Sequence, residues 1–332
     1  MAAMPDALRC SVIVPAYQEA DRIADCVRGL TDQTAPRSTY EIIVVDDASS
    51  DGTGPLAEQA GADVVLRIDH GGVAAARNAG LTQARGALVL FTDADCVPGR
   101  EWVERMVRPF SDPEVAGVKG TYRSRQTSPV ARLVQLEFEY RYLRMATLPT
   151  IDFIDTYAAA YKRSVLAEEG GFDTEYPVPS AEDVDLSFRL AKKGYRLVFA
   201  PDAWVWHSHP ASLWAYLRRK MRFGYWRALL YIRYPNKIAG DAHTDPLLKT
   251  QFALVAITGL SSIIALVVRP AWIAAAAGLL AFLVTTLRFA SWAWSRDRAV
   301  GALWPVVVFL RVLLQGMALG FGLVVNLISG GG

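Results

Sequence analysis

The chain has 332 residues, 52% of them hydrophobic and 20% charged, with a mean hydropathy of +0.19, which excludes a disordered chain and a disulfide-stapled mini-protein. The net charge of +2 conceals a partition: residues 1–202 carry 30 acidic and 22 basic side chains, residues 203–249 two and eight, and residues 250–332 only six charges. An acidic soluble part, a basic collar and an apolar tail follow in that order, unlike a single soluble domain.

Along the acidic part, residues 11–16 read as a buried strand. Residues 19–30 read as a helix with Ile23, Val27 and Leu30 on one face. A second strand over 41–46 leads into an Asp/Ser/Gly turn and a short helix. A strand over 62–68, a helix over 73–84 and a strand over 87–92 come next. Continuous apolar strands alternating with amphipathic helices predict a parallel sheet covered on both faces. Ligands of such sheets sit at the carboxyl ends of the strands. Three acidic clusters fall at or beyond the expected strand ends: Asp46-Asp47, Asp93-Ala94-Asp95 and Glu182-Asp183.

Clustered carboxylates repel one another unless a cation lies between them. In Asp93-Ala94-Asp95 the alternation of a strand end predicts both side chains on one side, suited to Mg²⁺ or Mn²⁺ holding a diphosphate. A turn whose Asp side chains bond their own backbone gives the same pattern. Asp51-Gly52-Thr53 reads as an Asx turn entering a helix, a reading that leaves Asp47 unexplained. His70-Gly71-Gly72 opens the helix that carries Arg77, either as an anion site or as a plain glycine turn. Ser180 and Asp183 form a capping-box-like pair at another helix start, compatible with Asp183 also serving as a general base. His207, after Trp204-Val205-Trp206, is either a buried hydrogen-bonded histidine or a third ligand for an ion held by Asp95. Cys10, Cys26 and Cys96 lack metal-type spacing and suit a reduced domain.

The collar, 212–234, repeats Trp214, Leu217, Met221, Tyr225, Ala228, Leu229 and Ile232 at helical spacing beside Arg218, Arg219 and Arg222. This is the pattern of a helix in a membrane interface, serving as an electrostatic anchor or bordering an acceptor's entry path. Residues 250–268 and 270–287 are charge-free runs, and residues 299–328 are broken once, by Arg311. Each approaches the roughly 20 apolar residues that cross a bilayer, although buried helices of a large soluble core also fit. Arg311 should then face protein, a headgroup or water. The eight cations of 203–249 predict a cytoplasmic N-terminal part and an external C-terminus, in a multi-pass protein of the cell (inner) membrane. Residues 1–9 are too short and polar to read as a signal peptide.

Residues 10–235 taken together resemble the family-2 inverting glycosyltransferases of the GT-A fold. The resemblance runs through Val12-Ile13-Val14-Pro15-Ala16-Tyr17-Gln18-Glu19, Val45-Asp46-Asp47 with Asp51-Gly52-Thr53, and Ala76-Arg77-Asn78. It continues through Thr92-Asp93-Ala94-Asp95, Gly170-Gly171-Phe172-Asp173, Glu182-Asp183-Val184-Asp185 and His207. It implies an α/β fold with a Rossmann-like, mostly parallel sheet, an interfacial helix and an all-α transmembrane segment. It also implies that Asp47 bonds the nucleotide base, in a pocket lined by Pro15, Tyr17 and Glu19, with Arg77 on the donor. Asp93 and Asp95 would form the metal motif, Asp95 nearest the ion and Asp93 more on the sugar or ribose, with His207 at the metal or diphosphate. Asp183 would be the catalytic base and Glu182 its neighbour. Arg219-Lys220-Met221-Arg222-Phe223 is similar to the Gln/Arg-x-x-Arg-Trp motif, with Phe in place of Trp, and would bring Arg222 to the diphosphate. Asp155-Thr156-Tyr157 lacks the glycine usual near this point.

The expectation is a metal-dependent inverting glycosyltransferase: residues 1–210 catalytic, 211–249 interfacial, and 250–332 about three spans. It takes a nucleotide sugar, with uracil implied by Asp47, and Mn²⁺ or Mg²⁺. The acceptor is a lipid or lipid-linked glycan for polysaccharide or glycolipid assembly. A polyprenyl-phosphate sugar synthase and a non-catalytic nucleotide-sugar-binding scaffold are the alternatives. Nucleic acid is excluded as a partner, because the cations sit beside the spans and the catalytic part is acidic.

Overall fold

The computed structural model describes residues 8–176, 181–238 and 244–328. Ser180, expected to pair with Asp183 at a helix cap, lies outside the described residues. The chain divides into two compact units: residues up to Arg125 with Tyr142–Ser208, and Gln126–Arg141 with His209 onward.

In the first unit β1 (Cys10–Ala16), α1 (Ile23–Thr31), β2 (Tyr40–Asp46) and α2 (Thr53–Ala60) come first. Next are β3 (Val64–Arg67), α3 (Gly72–Gln83), β4 (Leu88–Phe91), β5 (Cys96–Pro98), α4 (Trp102–Val107) and β6 (Val115–Arg123). After α5 (Pro129–Met145), which passes from the second unit into the first, come β7 (Ala159–Lys162), α6 (Arg163–Glu168), α7 (Glu182–Lys192) and β8 (Arg196–His207). The eight strands form one sheet in the order β3-β2-β1-β4-β7-β6-β8-β5. The first four are parallel, as expected from their continuous apolar runs, and β1 and β2 are buried throughout. The sheet is mixed beyond them: β7 runs antiparallel to β4 and β6, and β5 antiparallel to β8. The last pairing sets Cys96 directly opposite His207.

Ile23, Val27 and Leu30 face the core as their spacing predicts, but α1 begins four residues later than expected. The amides of Gln18, Glu19 and Ala20 are bonded by Ser49 Oγ, Thr53 Oγ1 and Asp51 Oδ2, so the residues before α1 belong to a loop. Asp51 also accepts from Thr53 N at 3.1 Å, the expected Asx turn.

The second unit holds the first part of α5, α8 (Leu213–Arg233), α9 (Leu248–Ile264), α10 (Ala271–Trp294) and α11 (Arg298–Ile328). Ser212 Oγ caps α8 by accepting from Ala215 N at 3.2 Å. Leu133, Val134, Tyr216, Phe282, Trp304 and Val308 form its core. The 24-residue α10 and 31-residue α11 are long and apolar enough to cross a membrane. Only 28% of the apolar window of each is buried, and Ile273, Leu280, Val306 and Phe321 are exposed, unlike a soluble core helix. The first expected span is shorter: α9 has 17 residues, and its run ends in turns over Ala265–Val268. At about 1.5 Å per residue it falls short of a hydrocarbon core of about 30 Å.

Arg311 faces protein. Its Nη1 lies 2.5 Å from Glu137 Oε1 on α5, and Glu137 Oε2 accepts from Tyr216 OH at 2.9 Å with Lys220 Nζ at 3.4 Å, both on α8.

Candidate active site

The carboxyl ends of β1, β2 and β4 release Tyr17, Asp47 and Asp93 into neighbouring loops. Asp47 is buried, and its two carboxylate oxygens accept from Gly71 N at 2.8 Å and Gly72 N at 2.9 Å. The glycine-opened helix therefore does receive an anion, supplied by the chain itself. Gly72 adopts φ +82°, a left-handed conformation that a side chain would strain. His70 Nδ1 adds a contact at 3.0 Å to Asp47, and its ring lies 4.4 Å from that of the half-exposed Tyr17. Pro15 is buried within β1, and Glu19 pairs with Arg22 at 2.6 Å.

Arg77 is the hub of the site. Its buried guanidinium, carried by α3, donates to Asp93 Oδ1 at 3.1 Å and to Glu182 Oε1 at 2.8 Å, and stands 5.4 Å from the Phe172 ring. The Asn78 side chain, one residue on, donates to Phe172 O and accepts from Phe172 N, both at 2.8 Å, locking α3 to the Gly170-Gly171 turn. The residue expected to meet the donor thus joins two clusters of carboxylates that lie 89 positions apart in sequence, Asp93 and Glu182. Burial raises the Asp93 carboxyl even against the Arg77 charge.

Asp183 follows Glu182 in the first turn of α7 and bonds its neighbour Val184 N at 2.8 Å. Burial and then the Glu182 charge push its carboxyl up to about 7, against the opposing pull of Arg77. A carboxyl in this range is suited to taking a proton near neutrality, as general-base chemistry favours.

Asp93 and Asp95 do not lie on an extended strand. β4 ends at Phe91, and a turn closed by Cys96 N to Asp93 O at 3.0 Å carries both. Strand alternation therefore does not set their directions; Arg77 draws Asp93, while Asp95 meets His207 Nδ1 and Arg22 Nη1, each at 3.5 Å. Burial opposes ionisation of Asp95, but His207 and Arg22 outweigh it and hold the carboxyl below its usual range. Asp95, Cys96 and His207 offer oxygen, sulfur and nitrogen atoms all within 4.8 Å of one another, a set able to hold a divalent cation. His207 stacks at 4.5 Å on Tyr122, which stacks in turn on Tyr157.

Arg22, Cys96, Lys119, Tyr122 and Asp155 also belong to this unit's polar centre, and sequence reasoning gave none of them a role. Lys119 is fully buried on β6, bonded to Asp155, with Tyr157 OH 3.4 Å away. A lysine inside the apolar run 115–122 was the available signal. Arg222 lies on α8 of the second unit with its side chain exposed.

The sequence pattern described as Glycosyl transferase family 2 matches residues 11–170. Glycosyltransferase AglE of Haloferax volcanii is 31% identical over 215 residues, 63% of this chain and 69% of its own. The pre-mycofactocin glycosyltransferase of Mycobacterium tuberculosis is 30% identical over 270 residues, 78% of this chain, which spans 55% of that relative's length. Among solved structures, the mannosyltransferase PcManGT of Pyrobaculum calidifontis, in complex with GDP-Man and Mn²⁺, superposes with a TM-score of 0.63 at 26% identity. That match covers 95% of this chain and 87% of the other. The sheet, the acidic turn after β4 and these relatives agree: the chain is a glycosyltransferase of family 2, with a GT-A-like fold.

Proposed function

We propose that this chain moves a sugar from a nucleoside-diphosphate donor to a lipid or lipid-linked acceptor at the cytoplasmic face of a membrane, with inversion at the anomeric carbon. The observation that carries the chemistry is Asp183, partly buried beside Glu182 with its carboxyl raised to about 7. In this reading Asp183 takes the proton of the acceptor hydroxyl as that oxygen bonds the anomeric carbon and the diphosphate leaves with the electrons of the broken bond. Arg77 holds Asp93 and Glu182 in place, so the donor side and the base side share one guanidinium. Asp95 and His207 would hold Mg²⁺ or Mn²⁺, with Asp93 beside them. When bound, such an ion neutralises charge developing on the leaving diphosphate. The Mn²⁺ and GDP-Man in the Pyrobaculum calidifontis mannosyltransferase support a divalent ion and a nucleotide-sugar donor.

Tyr17, His70 and Asp47 offer an exposed aromatic face beside a fixed carboxylate, suited to a nucleotide base flanked by Pro15 and Glu19. A UDP-sugar is the donor we propose. The exposed apolar surface of α10 and α11 and the cations of α8, Arg222 among them, support a membrane-bound acceptor. Glycolipid or polysaccharide assembly is the process such an acceptor serves. The test is a panel of UDP-, GDP- and dTDP-sugars with membrane lipid extract and Mn²⁺ or Mg²⁺, read by mass spectrometry. Sugar-bearing lipid formed from a UDP-sugar supports the reading; transfer to water-soluble sugars with none to lipid opposes it.

A further inference from the structure

The β5–β8 pairing places Cys96 opposite His207, and the turn before β5 brings Asp95 to the same point. Three atoms face one another there. Asp95 Oδ1 and His207 Nδ1 are 3.5 Å apart, Asp95 Oδ1 and Cys96 Sγ 3.6 Å, and Cys96 Sγ and His207 Nδ1 3.7 Å. The size of this triangle can be set beside the ligand spacings that bound ions impose. Ligands about 2.0–2.3 Å from a tetrahedral ion lie about 3.3–3.8 Å from one another. Adjacent oxygens about 2.0–2.1 Å from an octahedral Mg²⁺ lie only about 2.8–3.0 Å apart. All three observed edges fall in the tetrahedral range.

We propose that Cys96 is a metal ligand, and that Asp95, Cys96 and His207 form a site for a thiophilic divalent ion of the Zn²⁺ class, which competes with Mg²⁺ or Mn²⁺ there. The proposal rests on the reading of Asp95 and His207 as the metal residues and adds the identity of the ion that inhibits them. Sulfur and imidazole nitrogen favour Zn²⁺ over hard cations, whereas Mg²⁺ gains nothing from a thiol. A bound Zn²⁺ lowers the thiol's proton affinity, and the proton leaves to solvent. Thiolate, carboxylate and neutral imidazole then balance the dication in a largely buried place. To hold an ion His207 would present Nδ1 as a lone-pair donor in the Nε2–H tautomer, with the ring held by its stack on Tyr122. Arg22 Nη1 contacts Asp95 through Oδ2, leaving Oδ1 to the triangle. Three protein ligands would leave a tetrahedral ion only one open position, fewer than an octahedral Mg²⁺ or Mn²⁺ offers, so Zn²⁺ in this place would slow transfer.

The test titrates the detergent-purified full chain, stripped by chelator, with Co²⁺ alone as a spectroscopic probe. The expected result is a sulfur-to-cobalt charge-transfer band saturating at one equivalent, bleached by Zn²⁺ and displaced by Mg²⁺ only at large excess. Cys96→Ser should lose the band. Loss of even an outer-shell partner costs about 10–100-fold in metal affinity, so Zn²⁺ should also bind this variant more than tenfold more weakly. A Cys10→Ala/Cys26→Ala variant, with Cys96 as its sole thiol, should keep the band even if Cys96→Ser does not fold. No band in the wild type or in that double variant, or a band retained in Cys96→Ser, overturns the proposal. The readout needs no donor turnover: the band without sugar transfer would count against the proposed function and leave the site standing.

Discussion

Arg77 and Glu182 form an ion pair across 105 positions of sequence, Nη1 to Oε1 at 2.8 Å, with each side chain only 3% exposed. Breaking a buried pair by removing one partner typically costs about 3–5 kcal/mol. Arg77→Met should therefore lower the midpoint of thermal unfolding in detergent and abolish transfer, since Asp93 loses the same partner. Arg77→Lys should fold better yet remain impaired, because an ammonium lacks the planar fork that reaches two carboxylates. An Arg77→Met protein with the wild-type midpoint would remove Arg77 from this role.

The state of Asp183 sets a pH dependence. Its carboxyl is raised to about 7, and a base acts only when deprotonated, so kcat/KM should fall as pH drops through about 7. Glu182→Gln removes a charge that raises Asp183 and leaves Arg77 to lower it. In that variant the acid limb should move to lower pH. A limb that stays in place, or moves up, would show that another group titrates.

Glu137 makes the matching prediction for the second unit. Its carboxylate meets Arg311 at 2.5 Å and Lys220 at 3.4 Å, and these charges outweigh burial to hold it below its usual range. Burial in turn lowers Lys220 to about 8. Glu137→Gln strands two cations, and about 3–5 kcal/mol of stability should be lost. Glu137→Leu combined with Arg311→Met should recover part of the loss, measured as unfolding midpoint or detergent half-life. Equal loss in single and combined variants would contradict an electrostatic cause.

Removing divalent ions should stop transfer reversibly. EDTA-treated enzyme should lose activity and regain it with Mn²⁺ or Mg²⁺, while Asp95→Asn should require more ion for half-maximal rate. Full activity in EDTA would refute the metal role of Asp95 and His207.

Much of this was legible because local pattern and burial agree. The apolar runs of β1 and β2 are buried at every position, and the helical spacing of Ile23, Val27 and Leu30 matches the buried face of α1. What pattern does not carry is pairing between distant segments. Cys96 has no metal-type spacing along the chain; it meets His207 only because β5 joins the sheet antiparallel to β8. Likewise Glu137, in α5, a segment to which sequence pattern gave no role, gains its meaning from Arg311, 174 positions later. For Asp93 and Asp95 strand alternation was the expected cause of their directions; a turn and Arg77 set them instead.

The most direct test of the central claim is the transfer rate of Asp183→Asn, measured in detergent with saturating donor, acceptor lipid and metal. General-base catalysis contributes about 10²–10⁴-fold, so the variant should transfer at least about 100 times more slowly while keeping donor affinity. Transfer at a near-wild-type rate would contradict the assignment of Asp183 as the base.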